Sequence, residues 1–275
     1  MIPVAFDYER AGSVDEALAL LAEHGDEAKL LAGGHSLLPI MKLRLAYPSV
    51  LVDIGRLSDL SYVRDAGDHL AIGALTRHRD VEINDLILEH APLLAHATSF
   101  VGDPQIRHRG TLGGSLAHSD ASGDHPSTLL ALGGSVVARS TDGERVIEAG
   151  DLFAGFLESS LEPTEMITEI RIPKHTGAGW GFEKFNRRAQ DWAIVGVSAQ
   201  KTDDGAKVAL VSMHPTPVRA TAVEAALAGG ASAAEAAELA AEGVEPSADL
   251  NASIEYRQHL ARVLTRRALT SAGIA

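Results

Sequence analysis

Apolar and polar positions alternate along the chain in a way that separates helices from strands. Ser13-Val14-Asp15-Glu16 has the spacing of a helix-starting capping box. Leu18, Leu20 and Leu21 follow and Gly25 stands where a helix would stop, so residues 13–24 are predicted to form an amphipathic helix. Mainly apolar runs at 28–32, ending in Gly33-Gly34, and at 50–54, ending in Gly55, are predicted to be short buried strands of a small α/β lobe. A strand at 69–74 comes next, then a helical stretch from Thr76 to about Phe100 that Pro92 interrupts. After a glycine-rich segment, Arg109–Ser115, read as a loop, Asp124 is positioned to cap a helix carrying Leu129, Leu130 and Leu132. Strand-like runs at 135–139, 146–149 and 166–172 complete a mixed second lobe.

Residues 173–179, PKHTGAG, combine a strand-ending proline with a polar glycine-rich stretch and read as a linker. Beyond it, strands are expected near 180–188, 193–201 and 206–213, then three helices, the last over about 253–271. The pattern thus predicts an α+β protein divided into 1–175, with lobes of about 1–57 and 58–175, and 176–275. Alanines 231–241 read as a surface helix, because alanine has the highest helix propensity.

Composition removes whole classes of chemistry. The chain has 275 residues, 45% of them hydrophobic, enough for one large or two modest cores. With no cysteine it can hold neither a disulfide, a thiolate nucleophile, a zinc-thiolate site nor a cysteine-ligated iron–sulfur cluster. A formal net charge of -13, with basic residues never gathering beyond adjacent pairs, disfavours nucleic acid as a partner. No run approaches the ~18 apolar residues of a membrane helix. The start MIPVAFDYER lacks the basic and apolar regions of a secretory signal, so no integral membrane segment and a cytoplasmic location are expected. The histidines fall into no recognised metal-ligand spacing, and GxSxG, GxGxxG and GxxxxGK[ST] are all missing. No catalytic or metal-binding residue is therefore assigned.

Two glycine motifs remain. In Ala32-Gly33-Gly34-His35-Ser36-Leu37, paired glycines let backbone amides converge on an anion while the Ser36 hydroxyl adds a donor; an ordinary strand-to-loop turn is the alternative. In Thr111-Leu112-Gly113-Gly114-Ser115, a hydroxyl and a second pair of open amides precede Asp120 and Asp124, carboxylates placed to accept from ligand hydroxyls; a loop carboxylate and a helix cap are their simpler readings. Together the two motifs describe a split nucleotide site.

AGGHSLLPIMKLRL (32–45) and TLGGSLAHSDASGD (111–124) resemble the two FAD-contacting signatures of the medium subunits of aerobic carbon monoxide dehydrogenases and related molybdenum hydroxylases, the xanthine dehydrogenase family. EMITEIRIP (165–173), KFNRRAQDWAIV (184–195) and TPVRA (216–220) extend the resemblance over essentially the whole chain. The resemblance implies a two-lobed FAD-binding domain of the PCMH (vanillyl-alcohol oxidase-like) type, plus a C-terminal α+β domain with a three-stranded antiparallel sheet and three helices. It implies that residues 32–36 and 111–115 hold the pyrophosphate, that Asp124 bonds the polar chain of FAD, and that Ile167 backbone groups and Lys184 lie near the flavin ring. Trp192 stands where relatives carry an aromatic that stacks over the ring, although a large aromatic after a loop also reads as core, and Lys184 also reads as a solvated cation. His108 stands where relatives commonly have asparagine.

Berberine-bridge-like oxidases bond a histidine of a similar GGHS segment covalently to flavin, but they are much longer, and non-covalent FAD is expected here with His35 as a loop residue. Electrons are expected to arrive from a small 2Fe-2S subunit, fed by a large molybdopterin-binding subunit, and to leave for an external acceptor. The implied assembly is a dimer of heterotrimers. The alternatives are a self-sufficient flavin reductase or oxidase of the same fold, and a module that has lost flavin.

Overall fold

The computed structural model describes all residues from Met1 to Ala275. Three short strands, β1 (Asp7–Arg10), β2 (Ala28–Leu31) and β3 (Val50–Asp53), form a parallel sheet in the order β1-β3-β2. The helix Val14–His24 starts at Ser13, whose side chain accepts from the Glu16 amide, and buries Ala17, Leu18 and Leu21. β1 was not foreseen. All four of its residues are exposed at the sheet edge, so its sequence carries no alternation to read.

The second sheet contains β4 (Val63–Asp65), β5 (His69–Gly73), β6 (Ser135–Ser140), β7 (Gly143–Glu148) and, after a small hairpin of β8 (Phe153–Gly155) and β9 (Glu158–Ser159), β10 (Met166–Pro173). Its order is β4-β5-β10-β6-β7, with every pairing antiparallel. The helical stretch after β5 is broken into three helices, His78–Ile83, Asp85–His90 and Pro92–Ser99, the first break falling at Asn84, which caps the second helix, and the second at Pro92. Helix Asp124–Leu132 is buried along all nine residues, packed between helix Pro92–Ser99 and the third sheet.

That third sheet, β11 (Trp180–Phe185), β12 (Val195–Thr202), β13 (Gly205–Val211) and a two-residue β14 (Val218–Arg219), is antiparallel in sequential order. Helices Thr221–Ala228, Ala233–Ala237 and Ile254–Ser271 accompany it. The three long strands and three helices match expectation. The alanine segment is one-sided: Ala234, Glu235 and Glu238 are exposed, whereas Ala233, Ala236, Ala237 and Ala240 are buried, because small side chains let this turn approach the last helix closely. Residues 173–179 are tied down rather than free. His175 donates its amide to the His90 carbonyl at 2.7 Å and its ring contacts the Leu132 carbonyl at 3.0 Å. Phe182 and Ala209 of the third sheet join the core beneath the second, so the helix 124–132 lies within continuous apolar packing.

Candidate functional site

The first glycine motif leaves β2 at Leu31 and turns into a helix, Leu37–Lys42, where only a loop was expected. Gly34 has φ +77°, a left-handed conformation that glycine adopts without penalty. At Gly33 a Cβ would overlap the Arg109 carbonyl and lie 2.9 Å from the Gly110 Cα, so this glycine lets the first motif lie against the approach to the second. The amides of Gly33, Gly34, His35 and Ser36 donate to no protein acceptor, and His35 points its side chain to solvent. Beside them is a cleft of about 240 Å³ lined by Ala32, Gly33, Asp53, Gly55, Arg56 and Arg109. Arg77, absent from the sequence reading, spans the two lobes by donating to the carbonyls of Arg109 and Gly55.

The second motif is built differently. Leu112–His118 is a helix with Thr111 as its N-cap, Oγ1 accepting from the Gly114 amide at 3.3 Å. The loop expectation failed because glycine disfavours helix interiors, whereas Gly113 and Gly114 sit in the first turn and are retained for contact. A Cβ on Gly113 would come within 2.6 Å of the Ala74 Cβ. Its amides are not open either: Leu112 donates to the Thr76 carbonyl at 3.0 Å, Gly113 to Ala74 at 2.9 Å and Ser115 to Thr111 at 3.0 Å. Ala74 in turn donates to the Thr168 carbonyl at 3.1 Å, next to buried Ile167, where a bulge in β10 shifts its register against β6. Ile167 is thus two backbone steps from the motif, and its side chain belongs to the core.

Asp124 does not cap its helix. Gly123 occupies the cap position without a side-chain bond, and the Asp124 carboxylate meets Lys184 Nζ at 2.8 Å, with the two side chains 6% and 3% exposed. Period-2 alternation along β11 puts Lys184 on the face that carries Trp180 and Phe182, which explains how a strand cation reaches the interior. Lys184 also donates to the Phe100 carbonyl at 3.1 Å, so the solvated-cation reading is excluded. Burial raises the Asp124 pKa to about 6 against the opposing pull of Lys184. Its Oδ1 is buried without any partner. An unpaired buried acceptor is costly, and a ligand hydroxyl delivered there would satisfy it, so the donor set fits the sugar-alcohol chain of a flavin nucleotide.

Asp120 folds back on its own loop, Oδ1 accepting from the Ser122 amide at 2.8 Å. That loop is stapled by Ser212, which also escaped the sequence reading. Its φ is +60°; its amide donates to the Ala121 carbonyl at 2.9 Å and its hydroxyl to the Ala193 carbonyl at 2.9 Å, which leaves Ser122 to donate to it at 3.0 Å. Ser212 thereby joins the Asp120 loop to the loop bearing Trp192. The buried guanidinium of Arg257 holds the same loop through the Ile194 carbonyl and pairs with Asp249 at 2.7 Å. Trp192 itself is 67% exposed, which excludes the core alternative.

Similarity to known proteins extends over almost the whole chain. Residues 4–175 match the family of FAD-binding domains in molybdopterin dehydrogenases, and residues 180–272 the CO dehydrogenase flavoprotein C-terminal domain. The carbon monoxide dehydrogenase medium chain of Hydrogenophaga pseudoflava is 39% identical over 99% of this chain and 98% of its own. The nicotine 6-hydroxylase medium subunit of Paenarthrobacter nicotinovorans is 38% identical, covering 98% of both. The solved carbon monoxide dehydrogenase of H. pseudoflava superposes with a TM-score of 0.95 at 40% identity over 99% of both chains. A chain matched throughout by both family domains, and by relatives at this identity, belongs to the FAD-binding medium chains of the carbon monoxide dehydrogenase and xanthine dehydrogenase family, flavoprotein subunits of molybdenum-containing oxidoreductases.

Proposed function

We propose that this chain relays electrons from the 2Fe-2S clusters of a small partner subunit, through non-covalently held FAD, to an external acceptor, while a large molybdopterin-binding subunit oxidises the substrate. The observation that carries the reading is the buried Asp124 carboxylate with its unpartnered Oδ1, one residue from a side chain that contacts the second glycine motif. Bound flavin supplies one- and two-electron redox chemistry. The protein's part is to hold and orient it. The free amides of residues 33–36 and the Ser36 hydroxyl would take the pyrophosphate, with Ala32 and Leu37 flanking them. Thr111, Leu112, Gly113, Gly114 and Ser115 would form the opposing wall, and Asp120 and Asp124 would face ligand hydroxyls. Lys184, Ile167 and Trp192 would border the ring, Trp192 as an exposed aromatic held at its loop base by Ser212 and Arg257.

The three separate sheets and the interval between the two family matches support a division into lobes of about 1–57 and 58–175 and a C-terminal unit, 176–275. The absence of cysteine supports cluster-bearing partners on other chains. Assembly as a dimer of heterotrimers and a cytoplasmic location belong to the same reading; no helix of the chain is long and apolar enough to cross a membrane.

Affinity purification of the tagged chain from its native cell tests the proposal. A yellow complex containing an iron–sulfur chain and a molybdopterin chain, whose flavin enters the supernatant on acid precipitation, is the expected result. Flavin retained in the precipitate would overturn non-covalent binding. Turnover of NADPH with one organic substrate by the isolated chain would overturn the relay in favour of a self-sufficient reductase, and a colourless chain that takes up no added FAD would overturn both.

A further inference from the structure

Directly behind the second glycine motif lies a polar pair that the relay does not require. His125, the residue after Asp124, is 2% exposed, and its ring stacks on that of His78 with centroids 4.5 Å apart. His78 is buried as well, and it fits there because residue 110 is glycine: a Cβ would come within 2.5 Å of its ring. Both imidazoles are held neutral by burial. His125 is pushed down to about 3, with the Lys184 charge adding to the effect, and His78 is lowered well below its ordinary value.

The hydrogen-bond geometry around His125 permits one arrangement of protons. Thr98 Oγ1 lies 2.7 Å from the Leu94 carbonyl oxygen, a separation at which two oxygens need a proton between them, and a carbonyl only accepts. The single Thr98 hydroxyl proton is therefore spent on Leu94. Thr98 Oγ1 is also 3.0 Å from His125 Nε2, so Nε2 carries the proton and donates. A neutral imidazole protonated at Nε2 has a bare Nδ1, and that nitrogen lies 3.2 Å from Ser115 Oγ. Ser115 must donate to it. Each proton along the chain Ser115, His125, Thr98, Leu94 points inward, and the outward side of Ser115 retains only lone pairs.

We propose that His125 is a positioning residue which draws in the Ser115 hydroxyl proton, so that Ser115 meets FAD as an acceptor for a ligand hydroxyl and not as a donor to its pyrophosphate. This deepens the FAD reading and rests on it. It also gives the two motifs separate partners: the free amides of residues 33–36 face the anion, and the serine of the second motif faces a sugar-type hydroxyl.

Two measurements on the full chain test the assignment. In histidine-labelled protein, nitrogen NMR, with His125→Phe identifying the signal, is expected to find His125 protonated at Nε2 and bare at Nδ1 from pH 8 to pH 5. A proton on Nδ1, or titration of this ring near pH 6, would overturn the proposal whether or not FAD binds. FAD dissociation constants for the wild type, Ser115→Ala, His125→Phe and the double variant form the second test. Each single change is expected to weaken binding about 5- to 10-fold, one hydrogen bond's worth, and the double no further than the weaker single. Multiplying losses would mean that His125 does not act through Ser115. Thr98→Val, which keeps the imidazole but frees its tautomer, is expected to reproduce the loss even if the phenylalanine variant folds poorly; wild-type affinity in Thr98→Val would overturn the proposal. A wild-type chain that binds no FAD overturns the functional reading and, with it, the role of Ser115 toward FAD, whereas a wrong tautomer in a chain that does bind FAD overturns the role of His125 alone.

Discussion

The two glycine motifs look interchangeable as strings, yet they do opposite things with their backbones. In the first, the amides of Gly33 to Ser36 are left without protein partners and Gly34 holds a left-handed turn. In the second, the amides of Leu112, Gly113 and Ser115 are consumed by Thr76, Ala74 and Thr111, and the glycines serve close packing in a helical turn. A glycine pair is thus evidence for backbone proximity, and only the hydrogen-bond inventory tells whether a ligand or the protein itself is the close neighbour.

The strongest way to break the comparison is to remove the third-sheet charge that pairs with Asp124. Lys184→Met leaves the buried Asp124 carboxylate uncompensated and is expected to lower unfolding free energy by about 3–5 kcal/mol, read from urea titration. The double change Asp124→Leu with Lys184→Met should regain most of that stability while still failing to retain FAD. Wild-type stability in the single variant would show that the pair is not held as described.

Smaller substitutions separate the motifs directly. Gly33→Ala and Gly113→Ala each force a Cβ into neighbouring backbone, and each should cost about 1–3 kcal/mol in thermal or urea unfolding. FAD affinity should distinguish them. Gly33→Ala is expected to lose far more binding than its stability cost implies, because it displaces the free amides, whereas Gly113→Ala should lose binding only in proportion to stability.

The pH dependence sharpens the role of Asp124. Its folded-state pKa is raised to about 6, so ionisation there opposes folding. The apo chain should therefore gain stability from this group as pH falls through 6 and lose it as pH rises. A ligand hydroxyl donating to Oδ1 favours the ionised form, so FAD affinity should fall as pH drops below about 6, by up to ~10-fold per unit. Asp124→Asn should abolish this slope in a binding titration. Trp192→Ala is expected to have the smallest effect, within ~0.5 kcal/mol in stability for so exposed a side chain, while changing the flavin absorbance and fluorescence of the holoprotein.

Much of the fold was legible because it rests on local periodicity. The helix from Ser13, the strands around Leu70, Val136 and Ile170, and the last helix all bury one clear apolar set. β1 had no such set, being exposed throughout, and the helix from Leu37 was obscured by Pro39. Of the candidate site, the motif positions and the pairing of residue types were readable, but not the partner of each group. The resemblance points Asp124 and Lys184 toward FAD but leaves a helix cap and a surface cation as alternatives, and their mutual pairing is invisible, since neither strand order nor helix orientation is encoded within ten residues of either. Arg77, His125 and Ser212 carry no local signal at all; Ser212 is informative only through its positive φ and its three partners.

By itself, the sequence determined the helices and strands that bury one clear apolar set, that no cysteine chemistry is possible, and, through two extended motifs, that the chain holds FAD. Those are matters of local period, composition and contiguous residue pattern. The tertiary structure alone decided that the amides of the first motif are free and those of the second are spent, that Asp124 answers to Lys184 from another sheet, and that Ser115 gives its proton inward to His125. Burial sets proton positions and the cost of an unpaired group, and burial depends on residues 60 and more positions away in the chain, as between Asp124 and Lys184.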